Sequence, residues 1–321
     1  MAREPSLLSV VAPLHDEENA VAELHARLTD ALQGIPYELV LVDDGSRDGT
    51  PAALARLASD DDRVKVVRLS RNFGHQAAIT AGLDHARGDV VVMMDGDLQD
   101  PPEVVPRLLD AWRAGADVVY AVRQDRQGET LFKRASASWF YRLFRRLAHI
   151  DLEDSGDFRL MDRRALDALL GMPERSRFLR GMTVWVGFTQ TAVGYVREPR
   201  ASGRTKYTLS RMVRFSFDAI TSFSNTPLQW ATILGFTFSA IAFLAIPLAI
   251  VARYANIYER GVPTTIVIVL LLGGIQLITV GIIGEYVGRI YDEVKHRPLY
   301  VVRERVGVAE PVERPERAGR T

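Results

Sequence analysis

Between Asp218 and Arg253, and again between Arg260 and Glu285, the chain carries no charged side chain. Each gap exceeds the roughly 20 apolar residues that a helix needs to cross a bilayer. The pattern predicts spans at about Leu228–Val251 and Val262–Ile283. Ala252–Gly261 between them is too short for a domain, so the pair reads as a helical hairpin. A buried core hairpin would need a large domain around it, and too little chain remains. Positive residues crowd before the first span (Arg197, Arg200, Arg204, Lys206, Arg211, Arg214) and after the second (Arg289, Lys295, Arg297, Arg303, Arg305). Only Arg253 and Arg260 lie between. The positive-inside rule then predicts a multi-pass membrane protein with both termini in the cytoplasm. The start, Met1-Ala2-Arg3-Glu4-Pro5, shows no signal-peptide core, so the N-terminal domain is expected on the same side.

That domain has its own rhythm. Leu7–Ala12, Glu38–Val42, Val64–Leu69, Val90–Met94 and Val118–Val122 are short and rich in Val and Leu, as buried strands are. Glu17–Leu32, Thr50–Ser59, Gln76–Ala86 and Glu103–Ala114 show helical spacing. Strands alternating with helices predict an α/β fold with a mostly parallel sheet covered by helices. Ligands bind outside the carboxyl ends of such strands. Four polar clusters fall there: His15-Asp16-Glu17, Asp43-Asp44-Gly45-Ser46, Ser70-Arg71-Asn72 and Asp95-Gly96-Asp97.

The Asp95–Asp97 pair is the most specific of these. On an extended strand end, alternate residues point the same way. Two converging carboxylates repel unless a cation lies between them, and Gln99 continues the alternation with a neutral oxygen. Asp95, Asp97 and Gln99 are therefore the candidate metal ligands. A hard divalent cation, Mg or Mn, takes such oxygens and keeps open positions for substrate phosphates. The alternative is a solvated loop. At the second strand end, Gly45 suits a turn, and Asp43 or Asp44 is placed to accept hydrogen bonds from a base or a ribose. The 40 Lys and Arg balance 40 Asp and Glu, so net charge predicts no nucleic acid partner. The absence of Cys excludes disulfides, thiolate metal sites and Cys nucleophiles.

Pro13–Glu18, "VDDGSRDGT" (42–50), "SRNFGHQAAITAGLDHARGD" (70–89), "MDGDLQDPPE" (94–103) and Gly203–Tyr207, in this order, resemble family 2 glycosyltransferases of the polyprenyl-phosphate type. These are relatives of dolichol-phosphate mannose synthase and of bactoprenol glucosyltransferases, and the likeness runs over about residues 6–300. The resemblance implies a GT-A fold and an inverting transfer of one hexose from a nucleotide diphosphate sugar to polyprenyl phosphate. Two C-terminal spans favour the glucosyltransferase branch and UDP-glucose, with GDP-mannose as the alternative. It implies a bacterial plasma membrane location and a homotetramer.

Residue by residue, Pro13, His15 and Glu17 match the first nucleotide-contacting loop. Asp43 and Asp44 match the base and ribose pair, and Asp95, Asp97 and Gln99 the metal and diphosphate site. In "SGDFRLMDR", Asp157 and Arg159 match an acceptor-side motif. Arg200 and Lys206 match the basic residues of a loop near the phosphates, and Gly203 between them allows that loop to move. Arg123, Arg126 and Lys133 follow the last strand, where they could face a lipid phosphate or its neighbouring headgroups. Arg suits phosphate because its planar fork makes two bonds at once.

The expected organisation is a transferase domain over 1–207, an amphipathic juxtamembrane helix over 208–227, the hairpin over 228–284 and a C-terminal segment over 285–321 with a disordered tail. Within the first, residues 130–150 interleave aromatic and basic side chains, as a helix lying in a bilayer interface does. A helix packed on the domain with a solvated basic face is the other reading. A processive synthase would need more spans and a Gln-x-x-Arg-Trp motif, and Gln229-Trp230 lacks that spacing. A non-catalytic partner in glycolipid transport would tolerate a degenerate metal pair, and here Asp95, Asp97 and Gln99 are intact.

Overall fold

The computed structural model describes residues 3–123, 155–197, 226–254 and 262–308. Its contacts divide the chain into two compact units: Met1–Thr208 with Pro298–Thr321, and Leu209–Arg297.

The first unit is built on one eight-stranded sheet. Its strands are β1 (Leu8–Leu14), β2 (Tyr37–Asp43), β3 (Val64–Leu69), β4 (Val90–Met93), β5 (Val118–Arg123), β6 (Ser155–Asp162), β7 (Gln190–Tyr195) and β8 (Val302–Val306). They lie in the order β7-β5-β6-β4-β1-β2-β3-β8. The central run β4-β1-β2-β3 is parallel. All seven residues of β1 and of β2 are buried, which is why their sequences are nearly continuous apolar runs rather than alternating ones. Helices α1 (Glu18–Ala31), α2 (Thr50–Asp60) and α3 (His75–His85) are the crossovers. After a 3-10 turn at Pro102–Val104, α4 (Val105–Arg113) buries Val105, Leu108, Leu109 and Trp112, one face of a helix. Two shorter helices follow β6: α5 (Arg163–Gly171) and α6 (Leu179–Trp185).

Two features depart from a simple parallel sheet. Strand β6 inserts antiparallel between β4 and β5, so the "SGDFRLMD" segment lies beside the strand that leads to Asp95. Strand β8 closes the far edge, antiparallel to β3. This corrects the expected tail: residues 302–306 belong to the sheet. Arg68 pairs with Glu304 and Leu69 with Val302, so Arg303 is the extra residue of a β-bulge.

The second unit contains α7 (Thr226–Tyr254) and α8 (Val262–Val294), both long and apolar enough to cross a membrane. The boundary expected at residue 284 falls inside α8. An Arg289–Glu285 pair at 3.1 Å, one turn apart, supports the charged extension. The helix stops just ahead of His296 (φ 47°) and Pro298. The amphipathic segment expected at 130–150 lies outside the described residues, as does that expected at 208–227 except for Thr226 and Pro227, which begin α7.

Candidate active site

Strands β4, β1, β2 and β3 end side by side, and β8 runs the other way, so its first residues reach the same rim. The site is a row along that rim.

One end of the row is acidic. Strand β4 stops at Met93, and Asp95, Gly96 and Asp97 turn over the end of β1. Gly96 permits this: a Cβ there would lie 2.8 Å from the Pro13 carbonyl oxygen and 2.6 Å from Leu14 Cδ2. The Asp97 carboxylate accepts a 3.1 Å bond from the Gln99 backbone N–H. Leu98 between them is left-handed, at φ 60°. The strand alternation expected to bring Gln99 into line with Asp95 and Asp97 is therefore broken, because the chain is already turning. The side chain of Asp95 is largely enclosed, and its Oδ1 is buried without a hydrogen-bond partner. Burial pushes its carboxyl up to about 6; His75 opposes this, while Asp100, Asp157 and Asp97 add to it.

His75, the first residue of α3, bridges two strands. Its Nε2 lies 3.3 Å from Asp95 Oδ1 and 3.3 Å from Asp157 Oδ2. Asp157, on β6, also receives Arg180 Nε at 2.8 Å and Gln76 Nε2 at 3.1 Å. Burial acts to raise its pKa, but Arg180 and His75 outweigh it and hold the carboxylate well below the usual range. Burial acts to lower that of His75, and Asp157 and Asp95 outweigh it, so the imidazole is raised. Gln76 Oε1 in turn accepts from the Leu179 N–H and fixes the start of α6.

The third carboxylate of the loop after β4 is tied elsewhere. Asp100 Oδ1 accepts the Tyr195 hydroxyl at 2.5 Å, and Arg123 Nε donates to the same Tyr195 oxygen at 3.3 Å. Arg123, expected to face a lipid phosphate, thus holds the end of β5 against β7. Arg159 is 2 % exposed and bonds Thr183 Oγ1 and the Gly156 carbonyl. That placement corrects its expected role at the acceptor phosphate: it faces the interior, and burial lowers it to about 10. Arg126, Lys133, Arg200 and Lys206 lie outside the described residues.

The other end of the row is basic and open. A cavity of about 430 Å³ is lined by His15, Asp16, Gly45–Arg47, Arg68–Asn72 and Arg303. Asp43 and Asp44 lie beneath it rather than in it. Asp43 is fully buried, accepts the Ser46 N–H at 2.9 Å and lies 3.2 Å from Arg68 Nε. Asp44 accepts the N–H groups of Phe73 and Gly74 at 2.7 and 3.0 Å. Both carboxylates hold the loops that form the cavity. Gly45, at φ 68°, passes so close to Arg71 that a Cβ would meet its carbonyl carbon at 2.4 Å. His15 donates from Nδ1 to the Asp44 carbonyl at 2.9 Å. Pro13 is buried at the end of β1, and the Glu17 N–H binds Thr50 Oγ1.

His75, Gln76, Arg180 and Tyr195 are the residues that the sequence did not single out. His75 and Gln76 stand inside the quoted 70–89 run; Arg180 and Tyr195 carry no local signal.

The order of these elements is that of a known family. The description "Glycosyl transferase family 2" matches residues 9–170. An uncharacterized glycosyltransferase of Bacillus subtilis, YkcC, is 45 % identical over 94 % of each chain. The chain belongs to glycosyl transferase family 2. The bactoprenol glucosyl transferase of Shigella phage SfV is 40 % identical over 92 % of this chain and 98 % of its own. Among solved structures, the mannosyltransferase PcManGT from Pyrobaculum calidifontis aligns with a TM-score of 0.46 and 18 % identity, over 90 % of this chain and 88 % of that one. The protein is thus a glycosyltransferase, and its α/β, mostly parallel sheet is the architecture that the resemblance implied.

The acidic end of this transferase fits a divalent cation. Asp95 and Asp97 present hard oxygen donors from one turn, and Asp95 Oδ1 is buried without a hydrogen-bond partner. Among the described residues no three His, Asp or Glu side chains are spaced to hold a metal alone. Two carboxylates leave the remaining positions to phosphate oxygens and water, as is usual for Mg at phosphate sites.

Proposed function

We propose that this transferase moves one hexose from a nucleotide diphosphate sugar, UDP-glucose in the first place, to polyprenyl phosphate at the cytoplasmic face of a bacterial plasma membrane. One observation carries the reading: the 40 % identity to bactoprenol glucosyl transferases extends over 92 % of the chain, apolar hairpin included. The geometry supports the donor half. From β4 to β3 is three strand spacings, about 14 Å, enough for an extended nucleoside diphosphate. Its diphosphate would face Asp95 and Asp97, and its nucleoside the basic cavity.

In the reaction, a phosphate oxygen of the lipid attacks C1 of the sugar, and the bond from C1 to the diphosphate oxygen breaks with inversion. Mg or Mn, held by Asp97 and Asp95, would supply Lewis-acid neutralisation of the leaving diphosphate. A phosphate monoester has its second pKa near about 6 and is mostly dianionic at neutral pH. The nucleophile then needs no proton removed. Asp157 suits this absence of a general base: ionised and enclosed, it orients His75 and Arg180 beside the reacting groups. Arg200 and Lys206, with Arg126 and Lys133, are the remaining candidates to offset the repulsion between two phosphates. The α7–α8 hairpin would anchor the enzyme beside its lipid acceptor, and assembly as a homotetramer belongs to the same reading.

The test is transfer from labelled nucleotide sugars to undecaprenyl phosphate in detergent with Mg or Mn, with Asp97→Asn as control. Chloroform-soluble label from UDP-glucose, lost in the variant, is expected. Label from GDP-mannose instead would keep the reaction class and change the donor. Label from no donor, with the protein folded, would sink the reading in favour of a non-catalytic partner.

A further inference from the structure

Strand β8 follows the apolar hairpin in sequence, yet it reaches the donor rim of the sheet. Three observations on it converge. First, Arg303 is the bulged residue, lying between the Glu304–Arg68 and Val302–Leu69 pairs without a β3 partner of its own. Bulges beside active sites re-aim a side chain away from the regular pleat. Second, Arg303 lines the 430 Å³ cavity together with Ser70, Arg71 and Asn72. Third, its guanidinium makes no hydrogen bond or ion pair with any described residue, whereas Arg68 pairs with Asp43 and Arg71 binds the Asn72 carbonyl and stacks on Phe73. The rest of the segment is pinned. The Ser70 N–H donates to the Val301 carbonyl at 2.9 Å, Tyr300 OH to Asp84 Oδ2 at 2.8 Å, and Arg305 Nε to His85 Nε2 at 3.2 Å. A fixed backbone thus presents to the cavity a forked donor that pairs with no described residue, as the exposed Arg47 on the opposite loop also does.

We propose that Arg303 binds the nucleoside end of the sugar donor, so that the segment following the hairpin forms one wall of the donor site. This rests on the nucleotide-sugar reading above. Asp95 and Asp97 fix the diphosphate at β4, and Arg303 stands at β8, four strands along the row, where only the base or ribose reaches. A guanidinium has five N–H donors and no acceptor, so it suits the carbonyl oxygens of a uracil or guanine ring, or the ring face.

The experiment is equilibrium dialysis of the purified full chain in detergent with three labelled probes: UDP or GDP, whichever binds more tightly, the matching nucleoside, and pyrophosphate with Mg. Arg303→Ala is expected to weaken the nucleotide and the nucleoside by the same factor, about tenfold for a lost charge-assisted bond, and to leave pyrophosphate unchanged. Unchanged nucleoside affinity would overturn the proposal. So would a loss confined to pyrophosphate and nucleotide, which would assign Arg303 to the phosphates. Should Arg303→Ala melt lower than the wild type, Arg303→Lys carries the same comparison, because it keeps the stem and the charge but not the fork. A wild type that binds neither UDP nor GDP would instead remove the nucleotide-sugar reading itself.

Discussion

The two ends of the rim are built on opposite principles. At the β4–β6 end, carboxylates predominate: Asp95, Asp97, Asp100 and Asp157 cluster, and three of them are enclosed. Asp157 is held by His75 and Arg180, Asp100 by the Tyr195 hydroxyl, and Asp95 meets only His75, at 3.3 Å; one oxygen each of Asp95 and Asp100 is buried without a hydrogen bond. At the β2–β3–β8 end Asp43 and Asp44 accept loop N–H groups, Asp43 also pairs with Arg68, and guanidiniums line the opening. On the proposed reading the first end takes the cation and the diphosphate, and the second the nucleoside. If that reading holds, substitutions at the two ends should separate in experiment.

The largest separation is expected from Asp97→Asn. Transfer should fall by at least about a hundredfold, the scale of losing an electrostatic contact at the reacting centre, with membrane insertion and nucleoside affinity retained. Normal turnover would abolish the contrast between the two ends. Asp157→Ala comes next. Removing one member of a buried ion-pair group costs about 3–5 kcal/mol, because Arg180 and Arg159 lose their counter-charge. A marked fall in melting temperature should accompany lost turnover; lost turnover at an unchanged melting temperature would make Asp157 a reacting group instead. At the basic end, Gly45→Ala should cost about 1–2 kcal/mol for the left-handed backbone alone. It should also push the Arg71 backbone away, so nucleoside affinity should drop while pyrophosphate binding holds.

The smallest effect concerns the support of β8. His85 donates from Nδ1 to the Ala81 carbonyl and accepts from Arg305, with Asp84 beside it. Burial lowers its pKa below the ordinary value near 6.5, and Arg305 adds to this. The folded state therefore favours neutral His85. Its contribution is fully present above pH 6.5 and declines as pH falls below that value, where the unfolded chain takes up the proton first. Wild type should lose more thermal stability between pH 7.5 and 5.5 than His85→Gln does; equal losses would detach β8 from this residue.

The same contrast explains what could be read from the sequence. The core strands were legible to within two residues, since Leu8–Leu14 and Tyr37–Asp43 are buried on both faces and betray themselves by composition. The place of Asp95 and Asp97 at a strand end was legible because a buried strand runs straight into them. Strand β8 was not: Val-Arg-Glu-Arg-Val sits on a sheet edge, where charged residues are tolerated and guard against stray pairing, so it reads as a polar tail. Nor was the fate of Asp44, whose partners are backbone N–H groups about thirty residues away that no side-chain pattern announces. Arg180 reaches Asp157 only because β6 and α6 fold together, and spacing carries no trace of it.

The place of β8 also bears on how the protein is made. A ribosome delivers β1 to β7 first, then both apolar helices, and β8 after them. Until residues 302–306 emerge, the β3 edge has unpaired backbone groups and the cavity lacks one wall. Unpaired edges invite association with other chains. The cavity at the β3 edge is therefore finished only after the hairpin has been synthesised, and a chain truncated before β8 would lack both that wall and the edge cover.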